Sequence, residues 1–148
     1  MKLKTRERYS LRLMMTVAKL SSERRPVGLN IVSERAGISR RYLEQLVPPL
    51  KNASLLVAIS GRSGGYALAK PAEEIALGEI IVAAIGPIAV TDCAVGNDDC
   101  LHRDFCNCRS LWSLINFRIT EIFNKYTLAD LISEDWTARV KKEMASGD

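Results

Sequence analysis

Two short helical stretches meeting at Gly37-Ile38-Ser39 constrain the fold of this chain more than anything else in it. Leu29 to Ala36 reads as a helix of about two turns, with Gly28 placed to cap its start and Gly37 to end it in a left-handed conformation. Ser39 then serves as the N-cap of a second helix beginning with Arg40-Arg41-Tyr42. Paired helices of this kind across a three-residue turn predict a helix-turn-helix, whose second member meets base edges with its first turns. Ser39, Arg40, Arg41, Tyr42, Glu44 and Gln45 are therefore the candidate contacts. Arg suits guanine, Gln suits adenine, and Glu accepts from cytosine. Leu43, Leu46, Val47 and Leu50 take the inward positions. Pro48-Pro49 predicts an end or kink near Val47, with one further turn before Ala53, because an interior proline costs about 3 kcal/mol.

What flanks this unit extends it. Thr5 to Ser21 carries a helical stripe of Tyr9, Leu13, Val17 and Leu20, widened by Met14 and Ala18. Lys4, Arg6, Arg8 and Arg12 crowd its first turns, where the helix dipole disfavours cations and a nearby phosphate would welcome them. Leu55 to Ser60 and Tyr66 to Ala69 read as two strands around a Gly61-Arg62-Ser63-Gly64-Gly65 tip, which makes a wing with Arg62 free to enter a minor groove. Leu77 to Ile85 is a short, very apolar helix broken by Gly86-Pro87. The predicted fold class is mainly α with a small β-hairpin wing.

Charge divides the chain in two. Residues 1–70 hold fourteen Lys and Arg against four Asp and Glu, a net +10. Residues 71–148 hold seven against thirteen, a net −6, and the two halves together give the chain's +4. An anionic partner for the first half alone follows, with nucleic-acid phosphate the natural candidate. No run of about eighteen apolar residues exists and the charged start leads into no signal-like core, so a cytoplasmic protein without a membrane span is expected. With one histidine, no nucleophile motif and no phosphate loop, the chain is not expected to be an enzyme or to take a small-molecule substrate.

All four cysteines fall between Cys93 and Cys108, at Cys93, Cys100, Cys106 and Cys108. Clustering of this kind favours metal or redox chemistry over scattered core packing. Spacers of six and five residues let a loop wrap an iron–sulfur cluster on thiolate ligands. Zinc is the rival metal, although the paired C-x₂-C spacing is absent. A cluster-free thiol or disulfide switch is the third reading. Asp92, Asp98, Asp99 and Asp104 put negative charge around the thiols, which a bound iron cation would offset. After the loop, Arg109 to Tyr126 forms the longest helical pattern, with Leu111, Ile115, Ile119, Ile122 and Tyr126 on one stripe. Its width predicts burial against a second copy, in keeping with two-fold DNA sites. Thr127 caps a last turn, Leu128 to Ser133, and the tail from Val140 is expected to be frayed and solvated.

Taken in order, Tyr42-Leu43-Glu44-Gln45-Leu46, Gly64-Gly65-Tyr66, the Cys93…Cys100…Cys106 loop and Leu111-Trp112 resemble the IscR/NsrR-type (Rrf-two) family of bacterial winged-helix transcriptional regulators. The likeness covers nearly the whole chain. It implies a homodimer that crosses its long helices, binds double-stranded promoter DNA at a palindromic site, and holds an iron–sulfur cluster on the cysteine loop, 2Fe–2S favoured over 4Fe–4S. On that reading residues 1–87 are the winged helix-turn-helix domain, 88–108 the cluster-binding loop, and 109–148 the dimerisation helix and tail. The family's fourth ligands are not matched. Where one branch has His three residues past the third cysteine this chain has Arg109; where others place acidic or His ligands on the first helix it has Arg8 and Arg12. Cys108 is the first candidate for that place, His102 the second, and a non-protein ligand the third.

Overall fold

The computed structural model describes residues 4–22, 25–96 and 105–147. Among these described residues seven α-helices and one hairpin follow in the order α1 (Thr5–Leu20), α2 (Leu29–Ala36), α3 (Arg40–Asn52), β1 (Leu56–Ile59), β2 (Gly65–Leu68), α4 (Leu77–Ile85), α5 (Asn107–Lys125), α6 (Leu128–Ile132) and α7 (Trp136–Ser146). Short 3-10 turns lie at Ala72–Glu74 and Asp92–Val95.

The turn that joins α2 to α3 forms as its residues dictate. Gly37 sits at φ +64°, where a β-carbon would be strained, and its N–H closes on Ser33 O at 3.0 Å. Ser39 Oγ accepts from Tyr42 N–H at 3.3 Å, a cap worth about 1 kcal/mol. Leu43, Leu46, Val47 and Leu50 of α3 pack with Leu13, Met14 and Val17 of α1 and Val32 of α2 in one core, which Leu55, Ile75, Ile80 and Leu128 complete.

The prolines do not end α3, which runs on to Asn52. Pro48 and Pro49 remove the donors that would bind the Glu44 and Gln45 carbonyls. Glu44 and Gln45 lie on the exposed side of the helix, where water can take the freed acceptors. Leu50, fully buried one position later, supplies roughly 1.5–3 kcal/mol for keeping the helix in register.

The hairpin pairs Leu56 with Leu68 through to Ile59 with Gly65. On its far side Tyr66 exchanges two main-chain hydrogen bonds with Val27, each 2.9 Å. A β-carbon on Gly65 would lie 2.5 Å from Val27 O, and one on Gly64 2.5 Å from Ile59 O. These glycines serve close backbone approach within the wing.

A second junction ties the two ends of the chain together. Leu77 N–H donates to Tyr126 O at 2.9 Å, and Leu128 N–H to Ile75 O at 2.8 Å. Each side of this bridge carries a carboxylate cap. Glu79 accepts from Ala76 N–H and from Lys70 Nζ, and Asp130 accepts from Thr127 N–H and from Arg139. Burial pushes the Glu79 carboxyl up, but Lys70 and the Ala76 N–H outweigh it and hold it below its ordinary value. The Thr127 N–H, with Arg139 beside it, does the same for Asp130.

From Val140 the chain is solvated, as expected, but it is not frayed. Trp136 to Ser146 forms α7, folded back on the end of α5. Trp136 meets Tyr126 edge-to-face at 4.9 Å, Lys125 binds Glu143 at 2.5 Å, and Tyr126 OH donates to Glu143. Trp136, Val140 and Met144 recur at helical spacing, and these side-chain partners on α5 and α6 fix a helix that its charged sequence does not advertise.

Candidate nucleic-acid interface and cysteine site

α3 presents one exposed face at its N-terminal end. Arg40, Arg41, Glu44 and Gln45 are exposed there, and so is Arg62 at the wing tip. The other two candidates have local duties. Ser39 caps the helix, and the half-buried Tyr42 packs edge-to-face on Tyr9 of α1 at 5.7 Å. Arg12 lies 5.4 Å over the same Tyr9 ring and donates to Ala36 O at 3.3 Å, so it braces α1 against the end of α2. Arg40 is also engaged: it donates to Glu44 at 3.0 Å and to Asn30 of α2 at 2.8 Å. Asn30 carries no sequence signal for this role, because only the fold brings it to a residue ten positions on. Lys4, Arg6 and Arg8 are exposed at the start of α1.

The cysteine segment rests on α5. The turn Asp92–Val95 packs against that helix, and Val90 N–H donates to Asn116 Oδ1 at 2.9 Å. Cys93 is half-buried, with its Sγ 3.2 Å from Thr91 Oγ1. Cys106 is the N-cap residue of α5, also half-buried, and Cys108 is exposed in the first turn. All three are free thiols. The positive end of the α5 dipole lies at Cys106 and Cys108 and favours negative charge there, as thiolate ligation brings. Cys100 and His102 lie outside the described residues, as do Asp98, Asp99 and Asp104. Among the described residues no three His, Cys, Asp or Glu side chains converge on a point that could hold a metal ion. The donor chemistry thus fits a thiolate-bound cluster, while the described thiols alone do not close a site.

α5 itself has no buried residue. Leu111, Leu114, Phe117 and Ile122 stay between 51% and 58% exposed. The last two open onto a groove of about 1220 Å³ between α5 and α7, shared with Trp136, Val140 and Met144. Among the described residues, no helix is long and apolar enough to cross a membrane.

Known proteins share this arrangement. Residues 3–134 match the Rrf2 family, described as an iron-dependent transcriptional regulator. The HTH-type transcriptional regulator IscR of Vibrio vulnificus (strain YJ016) is 39% identical over 135 residues, covering 91% of this chain and 79% of the relative. That of Serratia proteamaculans (strain 568) is 40% identical over 133 residues, covering 90% and 80%. Among solved structures, CymR (YrzC), the global cysteine regulator of B. subtilis, superposes with a TM-score of 0.73 at 35% identity, over 89% of this chain and 96% of that one. T. potens IscR gives 0.73 at 31% identity, over 89% and 86%. The oxidised form of Staphylococcus aureus CymR gives 0.72 at 32% identity, over 90% and 97%. A helix-turn-helix with a wing, followed by a cysteine segment on a long exposed helix, is thus matched in sequence and in three dimensions along nearly its whole length, and the chain belongs to the Rrf2 family of transcriptional regulators and is not an enzyme.

Proposed function

We propose that this chain is a homodimeric, cytoplasmic DNA-binding regulator, acting as a repressor, that reports iron–sulfur, redox or nitric oxide status through thiols on the cysteine loop. The observation that carries the reading is the seating of the cysteine segment on α5, a helix on which Leu111, Leu114, Phe117 and Ile122 stay more than half exposed among the described residues. A second copy laid along Leu111, Leu114, Phe117 and Ile122 would bury that side and set two α3 helices on one face of a duplex. The groove between α5 and α7 supports the same occupant. Arg41, Gln45 and Arg62 are exposed where base edges and the minor groove would lie, with Lys51 for phosphate.

Cys93, Cys100 and Cys106 would hold a cluster, with Cys108 as the fourth ligand. A bound 2Fe–2S group would supply the redox- and nitric-oxide-responsive chemistry. The chain's own residues do the rest. The Val90–Asn116 hydrogen bond ties the loop to the middle of α5, so a rearranged loop tilts that helix. The bridge of Leu77 to Tyr126 carries the tilt to the base of the wing.

Anaerobic purification with visible absorption and iron and sulfide assays tests this. The expected result is a coloured protein whose chromophore is lost in Cys93→Ala, Cys100→Ala and Cys106→Ala. A colourless protein with stoichiometric zinc, or with no metal, overturns it. A second reading, a cluster-free thiol switch, is favoured by the likeness to an oxidised CymR structure. It predicts peroxide-sensitive operator binding by the metal-free protein.

A further inference from the structure

Two arginines open α3, and the structure treats them differently. Arg40 Nε donates to Glu44 Oε1 at 3.0 Å, and its Nη1 donates to Asn30 Oδ1 at 2.8 Å. Arg41 makes no hydrogen bond or ion pair among the described residues. Clasping guanine side-on takes the Nε edge of a guanidinium, and clasping it end-on takes both terminal nitrogens turned to the base. Arg40 has already spent Nε and directed Nη1 at α2. Arg41 has all its donors in hand.

The partner of Arg40 explains the arrangement. Glu44 is an exposed carboxylate on the face of α3 that would approach the phosphates, which repel it. An adjacent guanidinium cancels that charge and fixes one carboxylate oxygen. The other oxygen, Oε2, remains to accept from the exocyclic amine of cytosine. Exposed pairs one helical turn apart are weak and loosely held. Asn30 comes from a different helix and pins the guanidinium from outside, which turns a loose pair into a fixed one.

We infer that Arg40 is a positioning residue, braced by Asn30, which sets the Glu44 carboxylate for cytosine, while Arg41 is the guanine reader. The inference rests on the proposed entry of α3 into the major groove. It assigns Asn30, Arg40 and Glu44 to a single base-pair position read by the three together.

Selection of duplexes from a randomised pool, followed by titration on the selected site at fixed salt, tests it with the full chain. Arg40→Ala and Glu44→Gln should relax the same position, each by about fivefold or more. The double variant should lose no more than the worse single one. Arg40→Lys keeps the charge without the fork and should relax that position too. Asn30→Ala should do so more weakly, and Arg41→Ala should relax a different position. The salt slope should be unchanged by Arg40→Ala. If Arg40→Ala instead weakens binding equally on every sequence and lowers the salt slope by about one, Arg40 is a phosphate contact and the inference fails. Additive losses at separate positions would also overturn it. Should Gln45→Ala and Arg41→Ala leave selection untouched, the major-groove placement of α3 falls and this inference with it. Should they relax selection while Arg40 and Glu44 stay uncoupled, only this inference falls.

Discussion

On the proposed pairing of two chains along α5, replacing Ile122 by Glu should weaken their association. In one chain Leu111, Leu114, Phe117 and Ile122 are each a little over half exposed. Fully burying such a side chain is worth about 1.5–3 kcal/mol, so covering the exposed half gains about half of that. Over the eight side chains of a symmetric pair the gross gain is roughly 6–12 kcal/mol. Association costs on the order of 4–15 kcal/mol in lost freedom, so the pair has little to spare and other contacts must add to it. Losing two copies of Ile122 removes roughly 1.5–3 kcal/mol, and two carboxylates brought into an apolar seam cost more. The expected outcome is an association at least about tenfold to a hundredfold weaker. Sedimentation equilibrium across a micromolar range reads the mass directly. Far-UV circular dichroism should be unchanged, because α5 has no buried residue whose loss would unfold a single chain. A variant that keeps the two-chain mass throughout that range, with its fold intact, refutes the assignment of this face to a second copy.

Three further outcomes follow from the same structure. Asp130→Asn should destabilise the protein by about 1 kcal/mol at neutral pH by weakening the Thr127 cap. Because the folded state depresses this carboxyl, its contribution is present above the ordinary value of 3.8 and is lost as pH falls through the folded value. Melts of the two proteins should therefore differ at pH 7 and converge below 3.8; a gap that persists in acid counts against the cap. Ser54 holds φ +56° at the end of α3, where glycine is at ease, so Ser54→Gly should raise stability by about 1 kcal/mol. A lower melting temperature would show the strain to be absent. Lys4, Arg6, Arg8 and Lys51 give about eight phosphate-facing cations in a pair of chains, and operator affinity should fall with a log–log salt slope of about −7. A slope near zero in a titration series would contradict a DNA-binding head.

Much of the fold was legible because its signals are local. Gly37 and Ser39 are fixed by backbone conformation and a cap within four residues, and the bounds of α2 and α4 follow from glycine and periodicity alone. Pro48 and Pro49 left an end or a kink open, because their cost is local while the gain from Leu50, which keeps the helix going to Asn52, comes from the assembled core. α7 was missed for a related reason: its anchors on Tyr126, Asp130 and Lys125 are tertiary. At the interface, residue types along α3 indicated which side chains could read bases. They could not reveal that Tyr42 packs on Tyr9 of α1, or that Arg40 is held by Asn30. On the cysteine loop, spacing pointed to the thiols, and the seating of that loop on α5 needed the fold.

The paired main-chain bonds between Ile75–Leu77 and Tyr126–Leu128 turn the second half of the molecule into a fastened hoop. From the rivet the polypeptide leaves along α4, rounds the cysteine segment, comes home along α5 and is stitched to its own point of departure. A change of length in the arc between these fastened ends would reach α5 as a swing about the rivet, which begins at Ile75, seven residues after β2 ends at Leu68.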